Sequence, residues 1–125
     1  MDKRISDAVT VALQFNDCIN SRDADCLSGL MTDNHLFIDR ANNRIAGKEK
    51  NNSNWKKFFD LFPDYRNIFE TVTSRDTTVI MRGYSVCAEK ELNCRAIWTA
   101  KIEKTKVKEW RVYDDTEENR IALGI

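Results

Sequence analysis

The chain has 125 residues, 42% of them hydrophobic, enough for one compact core and too few for two ordinary domains. Its 20 Lys and Arg balance its 20 Asp and Glu, for a formal net charge of zero. That argues against a nucleic-acid partner or an anionic membrane surface, since both need a basic excess. No apolar run approaches the ~18 residues of a transmembrane helix, and MDKRISDAVT lacks the apolar core of a signal peptide. The expectation is a single domain over residues 1–125 in the cytoplasm.

The four cysteines are Cys18, Cys26, Cys87 and Cys94, and His35 is the only histidine. No CxxC pair is present, so the spacings of a tetrahedral zinc site are missing and no metal or other cofactor is expected. Four free thiols suit a reducing compartment. The alternative is a disulfide between Cys87 and Cys94, which bracket a turn at 88–91 and could face each other across a hairpin.

The first segment has helical period. Ile5, Val9, Ala12, Leu13, Asn16 and Ile19 recur at three- and four-residue steps, and Asp2 or Ser6 can cap the start. The run breaks at Asn20-Ser21. Asp23 then caps a short second helix carrying Leu27, Leu30 and Met31. Residues 35–39 read as a strand and 40–47 as a loop, with Asn-Asn and Gly47 as turn formers. A third helix runs from Lys48 to Phe62. Its Trp55, Phe58, Phe59 and Phe62 form an aromatic stripe, and Pro63 stops it.

The remainder alternates like strands: 65–74, 77–87, 92–103 and 107–113, joined by short turns as in an antiparallel meander. Cys94, Ala96, Trp98, Ala100 and Ile102 share one face of the third of these. The tail, TEENRIALGI, makes a short closing helix or arm. Three helices followed by a curved sheet give an α+β arrangement.

The order of elements resembles the SnoaL-like branch of the nuclear transport factor two-like superfamily, over nearly the whole chain. The residues that carry the likeness are NSRDADCLSGLMTDN at 20–34, the stretch from Asp39 to Gly47, FFDLFPDYR at 58–66 and EWRVYDD at 109–115. The resemblance implies a cone-shaped, curved, antiparallel or mixed sheet wrapped around three helices, a pocket between them, and often a homodimer. It implies no single chemistry, because the superfamily includes isomerases, epoxide hydrolases, polyketide cyclases, dehydratases and plain binding domains.

Asp39 matches the base of the ketosteroid isomerases of this fold. Those enzymes also need a tyrosine and a protonated carboxylic acid as oxyanion donors. Here Phe15 stands at the tyrosine's place and Trp98 at or beside the acid's. Loss of one such donor typically costs ~10²–10³ in rate. Epoxide hydrolases of this fold use an arginine flanked by carboxylates. Arg82 is similar to that arginine, but Tyr84 stands near one carboxylate position and Val112 occupies the other. That second carboxylate is also the acid–base group of the SnoaL-like cyclases, and a valine cannot transfer a proton.

Asp39 is therefore the one candidate base, with a structural alternative as a strand-end aspartate that hydrogen-bonds the following loop or pairs with Arg40 or Arg44. Ile80, Arg82, Tyr84 and Val86 share a strand face. If it lines the cone, Arg82 is a buried cation that Asp39 could balance. If it points outward, Arg82 is ordinary surface or interface. Phe15, Trp55, Phe59, Arg82, Tyr84, Trp98 and Trp110 are the candidate ligand contacts, and the aromatics favour an apolar ligand. The leading expectation is a homodimer that binds a small apolar or weakly polar molecule with little or no catalysis. The alternative is an isomerase, dehydratase or hydrolase using Asp39 with Arg82 assisting. A homodimer follows if Val79, Met81, Ile97 and Val107 form an exposed patch on the outer sheet face.

Overall fold

The computed structural model describes residues 3–125, with side chains from Asp7 onward. The expected cap at Asp2 and the side chains of Ile5 and Ser6 lie outside the described residues. Helix α1 spans Lys3–Asn20 and α2 Ala24–Gly29. The Asp23 carboxylate accepts from the Cys26 N–H at 3.0 Å and so caps α2 as expected. Met31 leaves the helix and opens strand β1, Met31–Ile38.

The sequence pattern predicts a loop over 40–47, but the structure forms a short strand there, β2 (Arg44–Ala46), which folds back on β1. Helix α3 follows at Lys48–Leu61. Strands β3 (Arg66–Arg75), β4 (Thr78–Val86), β5 (Arg95–Glu103) and β6 (Lys106–Asp114) complete the sheet, and α4 (Glu117–Leu123) closes the chain. The strand order is β2-β1-β6-β5-β4-β3. Only the β1–β6 pair is parallel. The arrangement is α+β with an open mixed sheet.

Register decides which side chains meet the helices, because a shift of one residue exchanges the two faces. Met81 lies opposite Trp98, Val79 opposite Ala100, and Ala100 opposite Trp110. All of these are buried in one core with Val107, Phe15 and Ile19. The expected outward patch is thus corrected: Val79, Met81 and Val107 face inward. Ile97 does lie on the outer face, yet it is fully buried within the single chain.

The same register places Arg82 and Tyr84 on the outer face, opposite Ile97 and Arg95. There the Asp115 carboxylate, almost fully buried, collects Arg82 at 3.0 Å, Arg95 at 3.3 Å and Arg120 at 2.6 Å. Arg120 belongs to α4, so this cluster ties the closing helix to the outer face. Burial opposes the charge on Asp115, but hydrogen bonds from Arg120, Arg82 and Arg95 outweigh it and hold the carboxyl below its ordinary value.

Cysteine pairing differs from both sequence readings. Cys18 near the end of α1 is bonded to Cys26 in α2, while Cys87 and Cys94 are free. The spacing of eight residues gives no signal of this; the α1–α2 turn creates the approach. The argument from free thiols to a reducing compartment applies to Cys87 and Cys94 alone.

His35 is fully buried on β1, with Phe15 5.6 Å away, ring to ring. Its Nδ1 lies 2.7 Å from the Val107 carbonyl oxygen. A carbonyl only accepts, so the neutral ring carries its proton on Nδ1. Nε2 has no partner among the described residues. Burial lowers the pKa of this histidine below its ordinary 6.5, and the hydrogen bond to Val107 offsets only part of that effect.

The unfolded chain therefore takes up the proton first. Stability is fully present above pH 6.5 and declines as pH falls below it, by up to about 1.4 kcal/mol per pH unit. Urea midpoints measured from pH 7.5 down to 5 are expected to fall below about 6.5. With a single histidine in the chain, and with carboxylates titrating near 4, that decline belongs to His35. A flat profile over the range would contradict it.

Candidate functional site

A cavity of about 420 Å³ opens between α3 and the inner sheet face. Such a volume is typical of small-molecule sites. Its apolar wall comes from Phe37 on β1, Trp55 and Phe58 on α3, Trp98 on β5, and Trp110 and Val112 on β6. Alternation along the strands places these residues: Phe37 pairs with Trp110, and Val112 with Trp98. On α3, Trp55 and Phe58 are one turn apart and their rings meet edge to face at 5.6 Å.

Helix α3 is held against this wall by Asn51, whose Nδ2 lies 2.8 Å from the Gly47 carbonyl, 3.0 Å from Ile45 and 3.2 Å from His35. Gly47 has φ of 101°, a conformation that glycine adopts without penalty, and it links β2 directly to α3.

Four of the expected site residues come together at the cavity: Asp39, Trp55, Trp98 and Trp110. Phe15 stands behind Trp110, ring centroids 4.7 Å apart, and is fully buried in the core instead of lining the space. Phe59 packs on Trp55 at 5.5 Å and borders a shallow groove with Ser21 and Ala24. Arg82 and Tyr84 lie on the opposite face of the sheet, so Arg82 meets Asp115 and not Asp39.

Asp39 sits at the end of β1 on the cavity rim. Its Oδ1 accepts from the N–H groups of Ala41 and Asn43, both at 2.9 Å, and its Oδ2 from the Asn43 side-chain amide at 3.1 Å. These bonds close the 39–43 loop, a common use of a strand-end aspartate. Beside it, Arg40 donates to the Cys94 sulfur at 2.6 Å and to the Glu91 carbonyl at 3.1 Å. Both Arg40 and Cys94 border the cavity.

One polar patch interrupts the aromatic wall, made by Tyr65, Asn67 and Ser85. Asn67 and Ser85 are register partners across β3 and β4. The Ser85 hydroxyl donates to the Leu92 carbonyl. Burial of the Tyr65 hydroxyl pushes its pKa up to about 12, against a hydrogen bond with Ser85 that lowers it, so the phenol stays neutral. Sequence reasoning missed this patch, together with Asn51 and Arg40. The only available signal was a pair of polar residues at alternate positions just after Pro63, which reads equally as exposed strand. Among the described residues, no group of His, Cys, Asp and Glu could hold a metal ion, and no helix is long and apolar enough to cross a membrane.

Solved structures share this architecture. A SnoaL-like polyketide cyclase from Jannaschia sp. superposes with a TM-score of 0.79 at 17% identity, over 99% of this chain and 93% of that one. The chain has the SnoaL-like fold. An LEH-like epoxide hydrolase of M. tuberculosis matches this chain with a TM-score of 0.78 at 12% identity, over 89% of this chain and 84% of that one. An NTF2-like protein of unknown function from Cytophaga hutchinsonii matches at 0.70 and 14%, over 94% and 95%. No family model and no curated protein matches the sequence. At these identities the likeness is one of fold, and the fold is shared by proteins of different chemistry.

Proposed function

We propose that this SnoaL-like chain binds a small, largely apolar molecule in the cavity under α3, with little or no catalysis. The observation that carries the reading is the condition of Asp39. Three hydrogen bonds from the 39–43 loop, two to Oδ1 and one to Oδ2, take up most of its acceptor positions and tie the carboxylate to its own loop, whereas a general base turns a free lone pair to the substrate's proton. Around it the wall is mostly apolar and brings no second carboxylate. Phe15 and Trp98 supply neither of the oxyanion donors that enolate chemistry needs.

The second reading, an isomerase, dehydratase or hydrolase using Asp39, is favoured by the place of that carboxylate at the cavity edge. The cation at the cavity border beside it is Arg40, itself held by Cys94 and Glu91, since Arg82 lies on the other face. A homodimer, implied by the resemblance, is open to sedimentation at micromolar concentration; an outer sheet face with Arg82, Tyr84, Arg95 and Arg111 is one surface it would use. The free thiols of Cys87 and Cys94 accord with a cytoplasmic setting, while the Cys18–Cys26 bridge does not.

All three tryptophans border the cavity, so titration with 2-naphthol is expected to quench intrinsic fluorescence to saturation. No ketosteroid isomerisation is expected from the wild type. Asp39→Ala is expected to lower the unfolding free energy by about 1–3 kcal/mol through the lost loop bonds, while 2-naphthol still binds. Turnover by the wild type that Asp39→Asn abolishes would replace binding with catalysis as the function.

A further inference from the structure

Among the described residues, the cavity wall carries two charged side chains, Asp39 and Arg40. The Asp39 carboxylate is turned to its own loop, where it accepts from Ala41 and Asn43. Arg40 is placed differently. Its Nη1 donates to the Cys94 sulfur at 2.6 Å and its Nη2 to the Glu91 carbonyl oxygen at 3.1 Å. A thiol is a weak acceptor, and a guanidinium has more N–H donors than these two bonds use. The side chain is 31% exposed, so the guanidinium is not sealed in the core.

Two observations set this charge at the cavity's edge. Cys94, which Nη1 touches, borders the cavity as Arg40 does. Tyr65, another wall residue, lies within reach of the charge: burial raises its pKa, while the Ser85 hydrogen bond and then the Arg40 charge lower it. The counter-charge is loosely held. Arg40 pairs with Asp114 at 3.6 Å, whose side chain is 63% exposed, and exposed pairs of this kind contribute little. Arg82, Arg95 and Arg120 by contrast share the almost fully buried Asp115.

We propose that Arg40 receives a carboxylate of the ligand, whose apolar body lies against Trp55, Trp98 and Trp110. The proposal rests on the binding function above and narrows it to apolar acids, such as aryl and acyl carboxylates. A guanidinium presents its N–H groups in a planar fork that matches a carboxylate. Beside an apolar wall the pair is also stronger than in water. The incoming carboxylate displaces Asp114, so an exposed pair is exchanged for a sheltered one. A neutral ligand of the same shape gains nothing from Arg40, and an ammonium meets a like charge.

The test titrates the full chain calorimetrically near neutral pH with three probes of one shape: 2-naphthoate, 2-naphthamide and 2-naphthylmethylammonium. The carboxylate is expected to bind at least about tenfold more tightly than the amide, and its affinity to fall as salt is raised. In Arg40→Gln the carboxylate and the amide are expected to bind nearly equally, while Arg40→Lys, which keeps the charge and loses the fork, retains part of the preference. Equal affinities for carboxylate and amide in the wild type would overturn the proposal and leave the binding function standing. Tightest binding of the ammonium would do the same, because the charged end would then belong to Asp39. A carboxylate preference that survives undiminished in Arg40→Gln would also overturn it. Binding of none of the three probes would overturn the binding function and the proposal together. The wild-type comparison decides the matter even if Arg40→Gln fails to fold.

Discussion

Gly83→Ala is expected to lower the unfolding free energy by about 3 kcal/mol or more, the upper end of what overpacking costs. Gly83 lies in the middle of β4, between Phe69 of β3 and Ala96 of β5. A Cβ there would collide with the Ile68 carbonyl oxygen and stand 2.9 Å from both the Ile68 carbonyl carbon and the Phe69 Cα. These are backbone atoms, so no rotamer change clears them. The crowding has a local cause. The β3–β4 register shifts between Phe69 and Thr71, and such a bulge bends one strand against its partner. To admit a methyl group, β3 must move, and it carries Asn67 and Phe69 on its inner face. Gly29, at the end of α2, is the control: nothing lies within 4 Å of its Cβ position. Gly29→Ala is expected to be neutral or slightly stabilising. Urea unfolding of the two variants checks the contrast, and a Gly83→Ala protein within 1 kcal/mol of wild type would refute the account of the bulge.

That glycine illustrates what the sequence could and could not convey. Helices and strands were legible because period follows burial. The alternation from Ala96 to Ile102 marks one buried face and proved to be core; on α1 Ala12 and Ile19 of the recurrence are core, but Leu13 is exposed and the buried face also takes in Val11 and Cys18. Which of two alternating faces points inward was not legible on β4. Val79 and Met81 alternate with Ile80 and Arg82, and each set contains large apolar residues. Only the pairing of Met81 with Trp98 settles the matter, and pairing is a non-local fact. For the same reason Arg82 stayed open between a cavity cation and an outward residue, and the pairing settles it as an outer-face partner of Asp115. Asp39 fared better, because a strand-end aspartate before Asn-Asn has a local hydrogen-bonding role that spacing reveals. The polar patch of Tyr65, Asn67 and Ser85 depends on two strands and on α1, so no single window of sequence contains it.

Trp98→Ala is expected to cost about 3–5 kcal/mol, the usual price of truncating a buried tryptophan. Trp98 is 1% exposed and sits on β5, with strands on both sides of it in the sheet. Its ring meets Phe69 at 5.0 Å, and its cross-strand neighbours are Met81 and Val112. It also borders the cavity, so the indole separates packed core from open space. That position gives the substitution a second signature. In a closed core the neighbours can only relax into the void, whereas here the void joins an existing cavity and a ligand can occupy it. A tricyclic phenol such as 2-anthrol is therefore expected to gain affinity relative to 2-naphthol in Trp98→Ala, while both lose the quenching contributed by that tryptophan. Replacing Phe15, which is buried behind Trp110 and does not border the cavity, is expected to destabilise the fold without changing the preference between the two phenols. If Trp98→Ala is destabilised with an unchanged preference, Trp98 is a core residue only, and the wall of the site lies further toward α3.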